Sequence, residues 1–325
     1  MRNNDSATDG STIALGGLGL AALGVLVFSF TLPSTVYALD GLDPYLIGFG
    51  RAAVAALAAV IALAAVRAPL PRRRQWGALA VVAGGVVFGF PVLTTLALDQ
   101  GASASHSAVI VGVLPATTAV LAVVRAGERP SPAFWLASAA GAACVTGFAV
   151  IRGSGRFTAA DLLLFAAMVA CAIGYAEGGR LARTMPGWRV ISWALVVAAP
   201  ITVPVTLWML ATTDQHWTGR AAFGFTYVAL GSMYLGFFAW YAGMARVGIA
   251  RASQVQLAQP ILTLLWSWVL LDETIDATTL LTALAVVVCV ALTQRTRVRR
   301  ETTPAGPLRV VTVSPNDGTK SVTRK

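Results

Sequence analysis

Five hydrogen-bonding residues recur at steps of three or four late in the chain: Ser253, Gln256, Gln259, Thr263 and Ser267. At 3.6 residues per turn this spacing sets them on one face of a helix whose other residues are almost all apolar. Such groups are costly against lipid, so the stripe must face protein or water. It can line a cavity that grips a polar solute, or bond to a neighbouring helix at about 0.6 kcal/mol per contact. Two glutamines exceed what packing needs, which favours the cavity. Pro260 sits within the stripe and, lacking an N–H, frees the carbonyl one turn back at Gln256.

Ionisable residues inside apolar stretches are the other candidates for chemistry. Arg51 lies about two turns into the second stretch, where a guanidinium offers a planar fork for a carboxylate or another anion. The favoured reading is blander: it snorkels to the head groups or pairs with Asp40 or Asp43. Glu177 is the carboxylate deepest in a stretch, within Ile173-Gly174-Tyr175-Ala176-Glu177-Gly178-Gly179-Arg180. It is a candidate titrating group for proton coupling, although pairing with Arg180 on the same helix face is slightly favoured. His106 is a candidate proton group whose position near a helix start favours a solvated or capping role. Tyr175, Tyr234, Trp240 and Tyr241 can stack on an amphipathic solute or simply pack. Cys144, Cys171 and Cys289 stand singly and give no metal spacing. The sequence has no HExxH, phosphate-cradling or nucleophile-elbow motif, so neither an enzyme, a metal, a cofactor nor an ATP site is expected.

These residues sit in a chain built for lipid. Hydrophobic residues make up 57% and charged residues 12% of it, with a mean hydropathy of +0.73; a soluble domain carries about twice that charged fraction. A helix needs about 20 apolar residues to cross the hydrocarbon core. Ten such runs are predicted: Ile13 to Ala38, Tyr45 to Val66, Gln75 to Leu98, Ala104 to Val124, Ala133 to Ile151, Ala160 to Leu181, Val190 to Ala211, Ala221 to Ala245, Ala252 to Leu271 and Ala277 to Thr293. Their continuity, without period-2 alternation, predicts helices rather than barrel strands. Gly85 with Gly89 and Gly174 with Gly178 have the small-xxx-small spacing of closely packed helices.

With the N-terminus on the cytoplasmic side, twenty of the 24 basic residues fall on that side, while Asp40, Asp43, Asp99, Asp214, Asp272, Glu273 and Asp276 fall opposite. The bias places both termini in the cytoplasm. It also accounts for the net charge of +10 through topology and anionic lipid, with no nucleic-acid partner. Residues 1–12 form a short cytoplasmic segment and residues 294–325 a basic cytoplasmic tail expected to be disordered.

The same pattern occurs twice. Glu128 follows Pro115 by thirteen residues and Glu273 follows Pro260 by thirteen, the two sets lying 145 residues apart. The expected organisation is a five-helix repeat over residues 13–151, a linker over 152–159 containing Gly153-Ser154-Gly155, and a second repeat over 160–293. Five spans per unit force the second unit to enter the membrane from the opposite side, which makes the repeat inverted.

The Phe49-Gly50-Arg51 start of the second span carries a family resemblance, as do the Gly101-Ala102-Ser103-Ala104-Ser105 run and the pairing of Pro115 with Glu128. It recurs in Ala250-Arg251-Ala252-Ser253, Pro260 and Glu273. On these residues, over Ile13 to Thr293, the chain resembles the EamA-type branch of the drug/metabolite transporter superfamily. Val27-Phe28-Ser29-Phe30 stands where the family usually has a Trp followed by small residues. The resemblance implies export of small polar or amphipathic metabolites, often amino acids, across the bacterial inner membrane, through a central cavity between two inverted units. The expectation is therefore an all-α integral membrane protein of ten helices, a secondary transporter working by alternating access. Substrate would meet Ser253, Gln256, Gln259, Thr263, Tyr175 and Tyr234. Arg51, Glu177 and His106 are the charge or coupling groups, with Pro115 and Pro260 at the helix breaks. The solute's own gradient and proton exchange are both open as driving force, as are monomer and homodimer. Uptake by the same fold, or a non-transporting scaffold, are the competing functions.

Overall fold

The computed structural model describes residues 5–126, 131–152, 156–247, 252 and 255–295. Among the described residues every regular element is helical. In chain order these are α1 (Asp5–Ser29, resumed after Phe30 as Thr31–Leu39), α2 (Pro44–Ala65), α3 (Arg73–Asp99), α4 (Ala104–Val111, resumed as Leu114–Ala126), α5 (Pro132–Arg152), α6 (Ala159–Leu181), α7 (Gly187–Thr212), α8 (Gly219–Val247), α9 (Gln256–Leu271) and α10 (Ala277–Arg295). Seven of them (α1 to α3 and α5 to α8) contain stretches long and apolar enough to cross a membrane, and the apolar parts of α4, α9 and α10 are shorter. Large apolar side chains point outward all round, Leu57, Ile61, Leu136, Leu207, Trp208 and Leu281 among them, each more than 60% exposed. Water would penalise so continuous an apolar surface and lipid does not.

Local chemistry explains where the helices start and stop. Asp43 accepts the N–H groups of Tyr45 and Leu46 with Pro44 at the first position of α2. Thr158 and Asp161 form a reciprocal capping box on α6. Ser103 caps α4 and Thr218 caps α8, and Asp272 ends α9 in the left-handed conformation, with φ 53°.

Several helices are interrupted. α4 breaks at Gly112 and Val113, just before Pro115, and α9 opens with a tight turn over Gln256–Ala258, just before Pro260. α3 widens into a π-helical stretch over Ala83–Gly89, and α8 does so over Tyr227–Leu235. The 145 residues between Pro115 and Pro260 also carry α1 to α5 onto α6 to α10, break onto break and π-stretch onto π-stretch.

Packing follows the same correspondence. α2 packs on α7, α4 on α9 and α5 on α10, each helix against its own counterpart. α1 packs on α8 just as α6 packs on α3, and α1 meets α9 as α6 meets α4. α3 and α6 approach closely. A Cβ on Gly85 would lie 2.3 Å from the Ala170 carbonyl oxygen, and one on Gly174 would lie 2.6 Å from Val86 Cγ2. Only glycine fits at these two positions, which makes Gly85 and Gly174 packing residues.

Candidate functional site

Between the two sets of helices lies a cavity of about 40 Å3, with walls from α1, α2, α3, α4, α6, α8 and α9. Phe28, Phe90, Tyr175 and Phe237 supply aromatic surface. Thr31, Arg51, Ser232, Gln256, Gln259 and Thr263 supply polar atoms, and Pro115 and Pro260 lie at the breaks of α4 and α9.

Arg51 projects from α2 into this lining and is only 2% exposed. Its Nη2 donates to Ser232 Oγ at 3.3 Å, and Ser232 Oγ lies 2.7 Å from Thr31 Oγ1. Nε and Nη1 have no partner among the described residues. This overturns the favoured sequence reading. Asp40 pairs instead with Arg220 at 3.0 Å, Asp43 is occupied capping α2, and burial rules out snorkelling. Tyr37 adds to Arg220's hold, since the guanidinium carbon stands 4.1 Å over its ring.

The α9 stripe reaches the same cavity in part. Gln256, 3% exposed, and Gln259 both line it, and Gln259 Oε1 has no partner among the described residues. The Gln256 carbonyl expected to be free receives the Gln259 N–H, because the chain tightens there. Thr263 Oγ1 donates to the Ser29 carbonyl at 2.9 Å and to that of Gln259 at 3.0 Å, bracing α9 against the break in α1. Ser267 is buried outside the lining, and Ser253 lies outside the described residues.

The remaining candidates are dispersed. Tyr175 lines the cavity, its ring 6.1 Å from Phe237 and 5.9 Å from Trp240. Tyr234 is not part of the lining; its hydroxyl lies 3.2 Å from Ser192 Oγ and its ring packs edge-on to Phe238. Glu177 is bonded by Arg180 through Nε at 3.1 Å and also through Nη2, away from the lining. His106 is neither solvated nor a cap. It is 12% exposed and its Nε2 lies 2.6 Å from Oδ1 of the buried Asp161, with the ring stacked on Phe148.

Three features escaped the sequence reading. The first is Asp161, which accepts from the Thr158 N–H and hydroxyl as well as meeting His106. The second is Glu273, whose two carboxylate oxygens take the Ala104 and Ser105 N–H groups at 2.9 and 3.0 Å. Two carboxylates from the second half thus hold the entry of α4. The third is the cavity's one-sidedness. At the 145-residue spacing Gln256 and Gln259 correspond to Val111 and Leu114, Arg51 to Val196 and Ser232 to Val87. An aligned pair of half-chains would have displayed this asymmetry.

Two copies of one unit, packed in exchange-symmetric fashion, have a direct counterpart among known proteins. Residues 15–151 and 158–295 each match the EamA-like transporter family. The chain belongs to the EamA-like transporter family. It is a membrane protein of the drug/metabolite transporter superfamily, as the paired Pro and Glu motifs led one to expect. An uncharacterized transporter of Bacillus subtilis (strain 168), YdeK, is 43% identical over 276 residues, covering 84% of this chain and 95% of the relative. A solved crystal structure shares the fold with a TM-score of 0.58 at 18% identity, covering 87% of this chain and 98% of that one.

Proposed function

We propose that this EamA-family protein is a secondary transporter that exports a small amphipathic metabolite, an amino acid or a solute of similar character, across the bacterial inner membrane by alternating access. The observation that carries the reading is the cavity between the two halves, aromatic on some walls and hydrogen-bonding on others, with its lining interrupted at Pro115 and Pro260. Broken helices around a central cavity at a repeat interface suit carriers that rock one unit against the other. All ten helices then cross the bilayer, and with five per unit the second repeat is inverted. The excess of basic residues on one set of loops favours cytoplasmic termini. With no nucleotide-binding motif in the sequence, the driving force is the solute's own gradient or exchange for protons.

The test is untargeted metabolite profiling of the medium around bacteria expressing the parent chain or the Gln256→Leu, Gln259→Leu double variant at equal membrane levels. One solute class accumulating outside with the parent alone supports export through this cavity. Matching media would contradict it, and depletion of a solute from the medium by the parent would reverse the direction to uptake.

A further inference from the structure

Arg51 carries its charge where no described residue neutralises it. Five described carboxylates near the ends of the surrounding helices are engaged elsewhere, Asp40 with Arg220, Asp43 on the α2 start, Asp161 with His106, Glu177 with Arg180 and Glu273 on the α4 start, and no described carboxylate bonds Arg51. The guanidinium has one long bond to Ser232 and two unpartnered nitrogens, in a cavity whose other walls are largely apolar. A buried charge left in that condition is strongly unfavourable, so the site is complete only when an anion is in it.

We infer that the cavity takes a solute bearing a single carboxylate, held by Arg51, and rejects organic cations and dianions. This rests on the transporter reading and narrows its substrate class. The two coplanar oxygens of a carboxylate match the guanidinium fork. One guanidinium offsets one negative charge, so a phosphate or phosphonate dianion would keep an unpaired charge out of water. An organic cation would meet Arg51 as a like charge in a low dielectric. The unpartnered Oε1 of Gln259 wants a donor, which an N–H or O–H elsewhere on the same solute supplies. Phe28, Phe90, Tyr175 and Phe237 face its apolar part. The counterpart of Arg51 in the second repeat is Val196, so the solute is gripped by its charged end from one half only.

The experiment compares thermal unfolding of the whole purified protein with phenylacetate, L-phenylalanine, their carboxamides phenylacetamide and L-phenylalaninamide, and benzylphosphonate. At least one carboxylate is expected to raise the midpoint saturably where its amide and the phosphonate do not. In Arg51→Gln that response weakens about tenfold or more. The comparison within the parent protein stands even if the variant folds poorly. Equal response to acid and amide, a stronger response to the phosphonate, an undiminished response in Arg51→Gln, or no stabilisation by either carboxylate overturns the inference. Medium profiling separates this from the transporter reading. Export of a solute lacking a carboxylate, surviving Arg51→Gln, sinks the inference and leaves the transporter; absence of any transported solute sinks the transporter reading, while the thermal comparison still decides the anion site.

Discussion

Single residues in this chain do different work from what their neighbours in sequence suggest. Arg51 lies eight residues from Asp43, and proximity favoured a pair; the fold gives Asp40 to Arg220, far away in the chain, and leaves Arg51 in the cavity. Asp161 joins His106 to the Thr158 cap through three bonds, whereas His106 makes one to Asp161. Asp161→Ala is therefore expected to lower stability more than His106→Ala, by about 2 kcal/mol against about 1, read as unfolding midpoints in detergent; the reverse order would show that the histidine anchors this corner. Glu273→Ala should cost about 1 to 2 kcal/mol, because two N–H groups at the α4 start lose a charged acceptor. A midpoint equal to the parent's would mean water replaces the carboxylate without loss. Periodicity revealed Gln256, Gln259 and Thr263 because they share one helix. Ser232, Asp161 and the helix that Glu273 caps stayed hidden because each acts across helices.

At the scale of elements, apolar length was enough to find the helices, and prolines marked the breaks in α4 and α9. The π-helical stretches in α3 and α8 left no such mark, since Ala83–Gly89 and Tyr227–Leu235 share no residue pattern beyond small and apolar. The α3–α6 contact depends on absent side chains. Gly174→Val should destabilise by about 3 kcal/mol, because the new Cβ meets Val86 and its backbone N–H. Gly147→Ala on α5 is the matched control, with nothing within 4 Å of its Cβ, and should be neutral or stabilising by up to about 1 kcal/mol. Thermal unfolding of the two variants side by side checks the pair; equal midpoints would show that α3 and α6 are free to separate.

For the molecule as a whole, the spacing of two prolines and two glutamates foretold a doubling that packing bears out helix by helix. What the spacing left out was that the two halves contribute unequal chemistry to the space between them. In the proposed carrier, symmetry in the frame would let the cavity open to either side, and asymmetry in the lining would let it hold a solute by one end. Cys171 would report such an opening, since it lines the cavity and is buried. The most direct measurement replaces Cys144 and Cys289 with Ala and follows modification of Cys171 by a membrane-impermeant thiol reagent, in spheroplasts and in inside-out vesicles. Alternating access predicts labelling from both sides, reduced by the transported solute. Labelling from neither side, or from one side alone under every condition, would contradict a carrier working through this cavity.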